Sequence, residues 1–370
     1  MSRVSLSIVA LLVTGGTALA GPFTTGNLVV VRLGTGSAAM NNQSQATFLD
    51  EYTLAGSLVQ SIPMPTTSVG SDRRLTLSGT ANSEGELAVS SDGRYFTLGG
   101  YDAAPGVASI SSSSLTVASR SIARIDLSGN VDTTTGITDA LGGASIRGVA
   151  TDDGSRYWAT GGSNGVRFLS HGASTTTQIT ASPTNVRCVN IFNGQLFISS
   201  GSGAFVGVNT VGSGLPTAAT TAALLTGQGG TGFSNYDFTF ADANTLYVAD
   251  DSAANNGLQK WVQNAGTWSL AYRITAGLPT PGQIRQFTVA SDGAGNNIIF
   301  ATSSNGTQSA PSSFSILTLI DTGAASSFST IVTTANNSTA FRGIEFIGIP
   351  TPASASLIGL GLVVAARRRR

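Results

Sequence analysis

One pattern of apolar and polar residues recurs between about residues 27 and 349. Each full copy has a segment of alternating apolar residues, a turn rich in Asp, Asn or Gly, and a second apolar segment ending in small residues. Copies start at Ser83, Ser145, Asn185, Asn235 and Gln283, and a first half starts at Ala340. Alternation with a period of two on both sides of such a turn predicts a β-hairpin.

Weaker strand-like segments follow each hairpin, for example SIARIDLSG from Ser121 and FSILTLIDTG from Phe314. The copies lie about 40 to 62 residues apart. Four strands per unit at this spacing are typical of a β-propeller. We therefore predict an all-β fold of about six four-stranded blades, with a β-sandwich pair or a β-helix as alternatives. The Ser/Thr/Gly-rich stretches 104–118 and 302–313 are predicted to be surface loops.

The two ends of the repeated region complement each other. The segments GNLVVVRLG, ATFLDEYTL and SLVQSIPMP near the N-terminus supply three strands, whereas the half copy at Ala340 supplies one. Joining them gives a last blade that removes the free sheet edges. Seven blades remain possible, because RRLTLSGTA from Arg73 and GLPTAATTAALLTGQGG are not placed.

One unit adds a family resemblance. Residues 245–263, TLYVADDSAANNGLQKWVQ, resemble an NHL-type propeller repeat through the Leu-Tyr-Val-Ala-Asp run and the later Gln-Lys-Trp. The resemblance covers this unit alone. It implies propeller architecture.

The first 20 residues predict a secretory signal peptide. Arg3 supplies a positive start, Val4 to Val13 a short apolar core, and Ala18-Leu19-Ala20 an A-x-A site with cleavage before Gly21. The alternative is a buried N-terminal helix. The apolar run is too short for a permanent membrane span.

The last 22 residues form a second signal. Pro350-Thr351-Pro352 precede an uncharged segment, 353–366, and the chain ends in Arg367, Arg368, Arg369 and Arg370. A short apolar helix before basic residues fits an anchor whose tail stays at the cytoplasmic face. This order resembles the bacterial PEP-CTERM sorting signal, with Thr in place of the usual middle Glu; the alternative is a plain C-terminal anchor. The resemblance implies processing by an exosortase-type enzyme and delivery to the cell surface or extracellular matrix.

The composition limits what residues 21–348, the predicted propeller domain, can do. Only 10% of the chain is charged, and it has one cysteine and one histidine. A disulfide within the chain is therefore excluded, and so is a structural zinc site, since His171 alone could assist Cys188. Of 19 basic residues, five are Arg3 and the terminal arginines; the remaining 14 face 19 acidic residues, a net charge of −5. This balance argues against nucleic-acid binding.

Alignment of the predicted inner strands puts charged residues in one column. Its members are Glu84, Arg147, Arg187, Tyr236, Arg285 and Arg342. Inner strands line the central channel of a propeller, so four arginines near one mouth predict an anion-binding ring. The alternative is that each arginine pairs with a neighbouring carboxylate, and the candidates are Glu84, Glu86, Asp152 and Asp237.

Other candidate chemistry is weaker. Asp152-Asp153 and Asp250-Asp251 could supply calcium ligands, but Asp is also a common turn former. His171 has no second histidine to form a metal set, and Cys188 is predicted to be a small buried residue. Glu84 or Glu86 with Asp237 could supply the two carboxyl groups of a glycosidase. No phosphate-binding motif occurs, and we predict no cofactor, no metal and no assigned catalytic residue.

These observations predict an exported bacterial surface or matrix protein, a non-enzymatic propeller that binds ligands or has a structural role. Its partners would be signal peptidase, an exosortase-type enzyme and an anionic polysaccharide, with transient anchoring in the inner membrane. The alternative is a secreted propeller hydrolase or lyase acting on extracellular polysaccharide.

Overall fold

The computed structural model describes residues 21–348, except 231, 253–254, 280–281, 308–309 and 335–336. The predicted signal peptide (1–20) and sorting segment (349–370) lie outside the described residues. The predictions made for them stay predictions, namely those for Ala18, Ala20, Pro350, Thr351, Pro352 and the four terminal arginines. Within the described part of the chain, no helix is long and apolar enough to cross a membrane.

Nine strands form one continuous antiparallel sheet. They are β1 (Leu28–Leu33), β2 (Ser44–Tyr52), β3 (Leu58–Pro63), β4 (Thr76–Ser78), β5 (Leu87–Val89), β6 (Tyr95–Tyr101), β7 (Arg120–Asp126), β8 (Val131–Ile137) and β25 (Ala340–Phe346). The order is β25-β1-β2-β4-β6-β7-β8, with β3 also paired to β2 and β5 to β6.

The other sixteen strands of the described chain form four separate antiparallel sheets of four. The first has β9 (Ile146–Ala150), β10 (Arg156–Gly161), β11 (Arg167–Ser170) and β12 (Thr177–Gln178). The second has β13 (Val189–Phe192), β14 (Gln195–Ser200), β15 (Gly207–Val211) and β16 (Ala222–Leu224). The third has β17 (Asn235–Asp242), β18 (Thr245–Asp250), β19 (Gly257–Asn264) and β20 (Thr267–Ile274). The fourth has β21 (Gly282–Ser291), β22 (Asn297–Thr307), β23 (Ala310–Asp321) and β24 (Ser329–Thr333).

The fold is all-β with a propeller arrangement, but the predicted number of blades is wrong. Four separate four-stranded blades are present where six or seven were expected. The physical reason is the short strand β4, which pairs with both β2 and β6 and so merges the remaining strands into one sheet. Among the described residues, the helical elements are two 3₁₀ turns, Ile110–Ser112 and Gly203–Phe205.

Strand β25 pairs antiparallel with β1, and Ile344 lies opposite Val30. The C-terminal strand of the described chain thus adds to three N-terminal strands, the pairing that the sequence indicated. It leaves β1 hydrogen-bonded on both sides, to β2 and β25.

Residues become more exposed from the inner strands of each sheet to its outer strand. In β10, Tyr157 to Gly161 are all buried, because both faces of the strand are covered by neighbouring sheets. In the outer strand β12, Thr177 and Gln178 are exposed. Four clusters of buried apolar side chains lie within and between the sheets.

Six strands enclose the centre of the molecule, namely the first strand in chain order of each four-stranded sheet together with β5 and β25 of the nine-stranded sheet. β5 contacts β9, β9 contacts β13, β13 contacts β17, β17 contacts β21, β21 contacts β25, and β25 contacts β5. This closed ring of six strands forms the wall of a central channel. Side chains on these strands converge although they lie far apart in the sequence.

Neighbouring blades are also joined by charged groups near their surface. Asp321, at the end of β23, accepts hydrogen bonds from the Tyr272 hydroxyl at 2.7 Å, from the Tyr247 hydroxyl and from Lys260 Nζ at 2.9 Å. Burial alone would raise the pKa of Asp321, but the hydrogen bonds from Tyr247, Tyr272 and Lys260 outweigh it and lower the pKa below its ordinary value.

This depressed pKa predicts a pH-dependent contribution to stability. The contribution is complete above the ordinary Asp pKa of about 4 and is lost as the pH falls through the lower folded value. Asp321→Asn should lower the free energy of unfolding at pH 7 by about 2 kcal/mol, since hydrogen bonds to a charged acceptor are lost. The gap between wild type and variant should narrow below about pH 4. Urea unfolding of both proteins at pH 7 and pH 3 measures this gap, and an equal gap at the two values would contradict the prediction.

Candidate functional site

The predicted column of charged residues lies along the ring of inner strands. Arg147, Tyr236, Arg285 and Arg342 are on β9, β17, β21 and β25, and Arg187 and Glu84 lie shortly before β13 and β5. The structure brings together Arg187, Arg285 and Tyr236. Both guanidinium groups lie over the Tyr236 ring, at 5.1 and 5.3 Å from its centroid.

Asp251 joins these two arginines. Its carboxylate oxygens lie 2.9 Å from Arg187 Nη1 and 2.9 Å from Arg285 Nη2. Burial alone would raise the pKa of Asp251, but the positive charges of Arg187 and Arg285 outweigh it and lower the pKa. Arg187 also donates to the Ser234 hydroxyl at 2.8 Å, and Arg285 to the side chain of Asn82.

The other two arginines donate to neutral oxygen atoms. Arg147 Nη1 donates to the Asn185 side chain at 2.6 Å and to the Val186 carbonyl at 3.0 Å. Arg342 is 4% exposed and donates to the carbonyls of Gly79 and Phe341. Burial lowers the pKa of Arg342 to about 10. All four arginines of the column therefore donate to protein acceptors.

The predicted carboxylate partners are wrong in detail. Among the described residues, Glu84, Glu86 and Asp237 form no ion pair with an arginine, and Asp152 pairs with Arg156 outside the channel. Glu84 instead accepts from the Ser78 amide at 2.9 Å and from the Tyr101 hydroxyl. Burial raises the pKa of Glu84.

The remaining acidic pairs have local hydrogen-bond partners. Asp153 accepts from the Ser155 amide at 2.9 Å, and Asp250 from the Ser234 and Ser252 amides at 2.9 Å each. Hydrogen bonds of this kind, from nearby backbone amides to a carboxylate, are typical of Asp in turns. His171 lies away from the inner strands, after β11, where its Nδ1 is 2.9 Å from the Tyr157 hydroxyl.

A second group of side chains lies inside the channel. Glu86, Cys188 and Asp237 come from the segments of β5, β13 and β17, and one ligand-type atom from each lies within 4.8 Å of the others. All three residues are buried, with exposed fractions of 4%, 1% and 7%. The Asp237 carboxylate accepts from the amides of Phe287 and Phe238 at 2.9 and 2.7 Å.

Burial shifts the pKa of every group in this cluster. It raises the pKa of the Glu86 carboxyl well above its ordinary value, and the negative charge of Asp237 adds to the effect. It raises the pKa of Asp237 to about 7. The Cys188 thiol has a raised pKa for the same reason, which makes it a poor nucleophile.

A cavity of about 610 Å³ opens on the inner strands of the ring. Its polar lining includes Ser90, Asp92, Asn190, Thr239, Thr288 and Glu345, and its apolar lining includes Val89, Val289 and Phe346. The Thr288 hydroxyl donates to Glu345 at 2.7 Å. Burial raises the pKa of Glu345 to about 8, so this carboxyl is largely protonated at neutral pH.

The sequence did not single out Asp251 as an arginine partner, nor Glu345 and the rest of the cavity lining. Glu345 follows the column residue Arg342 by three positions, so a search along each inner strand beyond the arginine column could have found it. Asp251 follows β18, and nothing in the sequence indicates that it reaches Arg187 and Arg285.

No protein-family model and no curated protein matches this sequence. Solved structures resemble it at low identity. A protein from Lactobacillus plantarum is 11% identical, with a TM-score of 0.46 over 86% of this chain and 99% of that one. An ancestral GH74 enzyme is 11% identical, with a TM-score of 0.41 over 79% of this chain and 41% of that one.

The extracellular domain assigned to a hybrid two-component system from B. thetaiotaomicron is 11% identical. Its TM-score is 0.39 over 86% of this chain, which spans 36% of that structure's length. At these identities and TM-scores, the likeness gives no information about function.

Proposed function

We propose that this chain is an exported bacterial surface or matrix protein whose propeller binds a ligand without transforming it. The observation that carries the proposal is the cavity of about 610 Å³ on the inner strands. Its size suits a small ligand or a few residues of a polymer. Export is proposed from the signal peptide and the PEP-CTERM-like segment in the sequence.

The lining of the cavity favours a neutral or amine-bearing carbohydrate. Hydroxyl and amide groups of Asn190, Thr239 and Thr288 can exchange hydrogen bonds with sugar hydroxyls, and Phe346 adds an aromatic surface. The ionisable lining residues are Asp92 and Glu345, both acidic. An anionic polymer would meet no basic side chain among the described lining residues. The predicted binding of anionic polysaccharide would involve the arginine column instead. There the polysaccharide would compete with the protein groups that already accept hydrogen bonds from the arginines.

The hydrolase or lyase alternative has less support. A glycosidase needs two carboxyl groups on either side of the scissile bond. Glu86 and Asp237 are buried and do not line the cavity, whereas Asp92 is held by Arg94 at 2.6 Å. That leaves Glu345 as the one lining carboxyl without an ion pair among the described residues.

The proposed site predicts that filling the cavity weakens binding. Val89 lines the cavity and is 36% exposed, so Val89→Trp should occupy part of its volume without disturbing the core. We expect at least about tenfold weaker binding of the carbohydrate found by screening the full chain against neutral, amino and anionic glycans. Isothermal titration calorimetry measures the loss.

Val69→Trp is the matched control, since Val69 is 70% exposed and does not line the cavity. Its affinity should equal that of the wild type. A ligand bound equally well by the Val89 variant would place binding elsewhere. Binding of anionic glycans alone, lost in Arg147→Ala with Arg285→Ala, would move the site to the arginine column.

A further inference from the structure

The interior of the channel holds more acidic groups than its surroundings neutralise. Glu86 and Asp237 are buried, and no ion pair involves either of them within the described chain. The nearby guanidinium of Arg147 already donates to Asn185 and Val186. Buried ionised groups require a partner, a bound cation or a proton.

Glu86 supplies a separate observation that points to a ligand. Its Oε2 atom is buried, lies in the cluster with Cys188 and Asp237, and has no hydrogen-bond partner within the described residues. Buried polar atoms nearly always have a partner, so such an atom needs an explanation. The carboxylate occupies the space left by Gly148, where a Cβ atom would lie 1.9 Å from Oε2.

We propose that Glu86, Cys188 and Asp237 form a binding site for a divalent transition metal ion of the zinc type. A thiolate and two carboxylates are ligands that Zn²⁺ accepts, and the sulfur disfavours Mg²⁺ and Ca²⁺. The sequence prediction excluded a structural zinc site because it counted only cysteines and histidines; the site proposed here departs from that prediction by taking two of its three ligands from carboxylates. The three residues leave a fourth position for water or another ligand.

The geometry is close to that of a metal centre. Ligand atoms about 2.0 to 2.3 Å from a tetrahedral zinc ion are about 3.3 to 3.8 Å apart. The three atoms here lie within 4.8 Å of one another, so movements of about 1 Å bring them to the spacing of a zinc site. The ring of inner strands holds the ligands from three separate segments, so a bound ion would tie β5, β13 and β17 together.

The test uses the untagged full chain, freed of metal with a chelator, and titrates it with Zn²⁺ and Co²⁺. We expect one ion per chain, a higher melting temperature with the ion, and the near-ultraviolet absorption of a cobalt–thiolate bond. Cys188→Ser should remove this absorption, and Glu86→Gln should weaken binding by about 100-fold or more. Both changes are nearly isosteric, and circular dichroism checks that the variants fold.

Glu84→Gln is the matched control. Glu84 is equally buried and lies two residues before Glu86, but its oxygens already accept from Ser78 and Tyr101. Its variant should bind the ion like the wild type. Absence of binding to the folded wild type overturns the proposal. So does binding that survives in Cys188→Ser but is lost in His171→Ala, which would place the ion at His171 and Asp132, 3.2 Å apart.

Discussion

Replacing Arg120 with methionine is expected to lower the free energy of unfolding by about 4 kcal/mol. The Arg120 side chain is fully buried, and its guanidinium lies 4.7 Å from the centre of the Tyr101 ring. It donates to four backbone carbonyls, those of Ser113, Ala118, Leu141 and Ala144. Burial lowers its pKa, and the charges of Tyr101 and Glu84 act in the opposite direction.

The cost arises from the groups that the arginine leaves behind. Methionine fills a similar volume but donates no hydrogen bond, so the four carbonyls would remain buried without this donor. Two of these carbonyls lie in the loop before β7 and two in the loop after β8. Arg120 therefore holds the two loops together. We expect a melting temperature about 6 °C lower by differential scanning calorimetry.

Arg94→Met is the control, because the Arg94 side chain is 60% exposed and pairs with Asp92 at the surface. Its melting temperature should stay close to that of the wild type. A similar decrease in both variants would show that loss of any arginine destabilises the protein, and would refute the structural role given to Arg120.

Asp251→Asn is expected to have the second largest effect, a loss of about 3 kcal/mol. The Asp251 side chain is 9% exposed and neutralises Arg187 and Arg285 at once. With asparagine, two adjacent guanidinium groups would face each other over Tyr236 without a counter-ion. Urea unfolding measures the loss, and added sulfate should recover part of it by supplying the missing negative charge.

Asp242→Asn provides the comparison, since Asp242 is an exposed turn residue that accepts from the Asn244 amide. Its stability should change little, and sulfate should have the same effect on it as on the wild type. If Asp251→Asn is as stable as wild type, the arginines have other acceptors. The structural role given to Asp251 would then be wrong.

The propeller arrangement could be predicted because its signal is local. Hairpins such as the one at Ser145 combine alternation with a turn, and both depend on neighbouring residues. The number of separate blades could not be predicted, since the pairing of β4 with β2 and β6 joins residues from three segments of the chain. The stretch 302–313 was predicted as a loop for its polar composition, but residues 302–307 belong to β22 and residues 310–313 belong to β23. The backbone hydrogen bonds between β22 and β23 outweigh the weak β-propensity of these polar residues.

The sequence predicted where the arginines of the candidate site lie, but not which carboxylate they pair with. Arg187, Tyr236 and Arg285 were identified from their equivalent places in the repeat, and the structure brings them together. Asp251 neutralises the two arginines, and it lies just after β18, the second strand of its sheet. The spacing of the repeat gives no sign that a residue at this position reaches the inner strands. Cys188 was predicted to be buried, and it is. Its neighbours Glu86 and Asp237 could not be predicted, because the ring of inner strands brings them together from distant parts of the sequence.

The pairing of β1 with β25 determines when this fold can be completed. Strand β1 ends at Leu33, and its partner begins at Ala340. A ribosome makes almost the whole domain before this partner exists, so the nascent chain carries β1 with one edge open. Contacts so distant in sequence slow folding, and open edges favour aggregation in the meantime. A chaperone that covers this edge during synthesis would therefore raise the yield of folded protein more than one that acts on the finished chain.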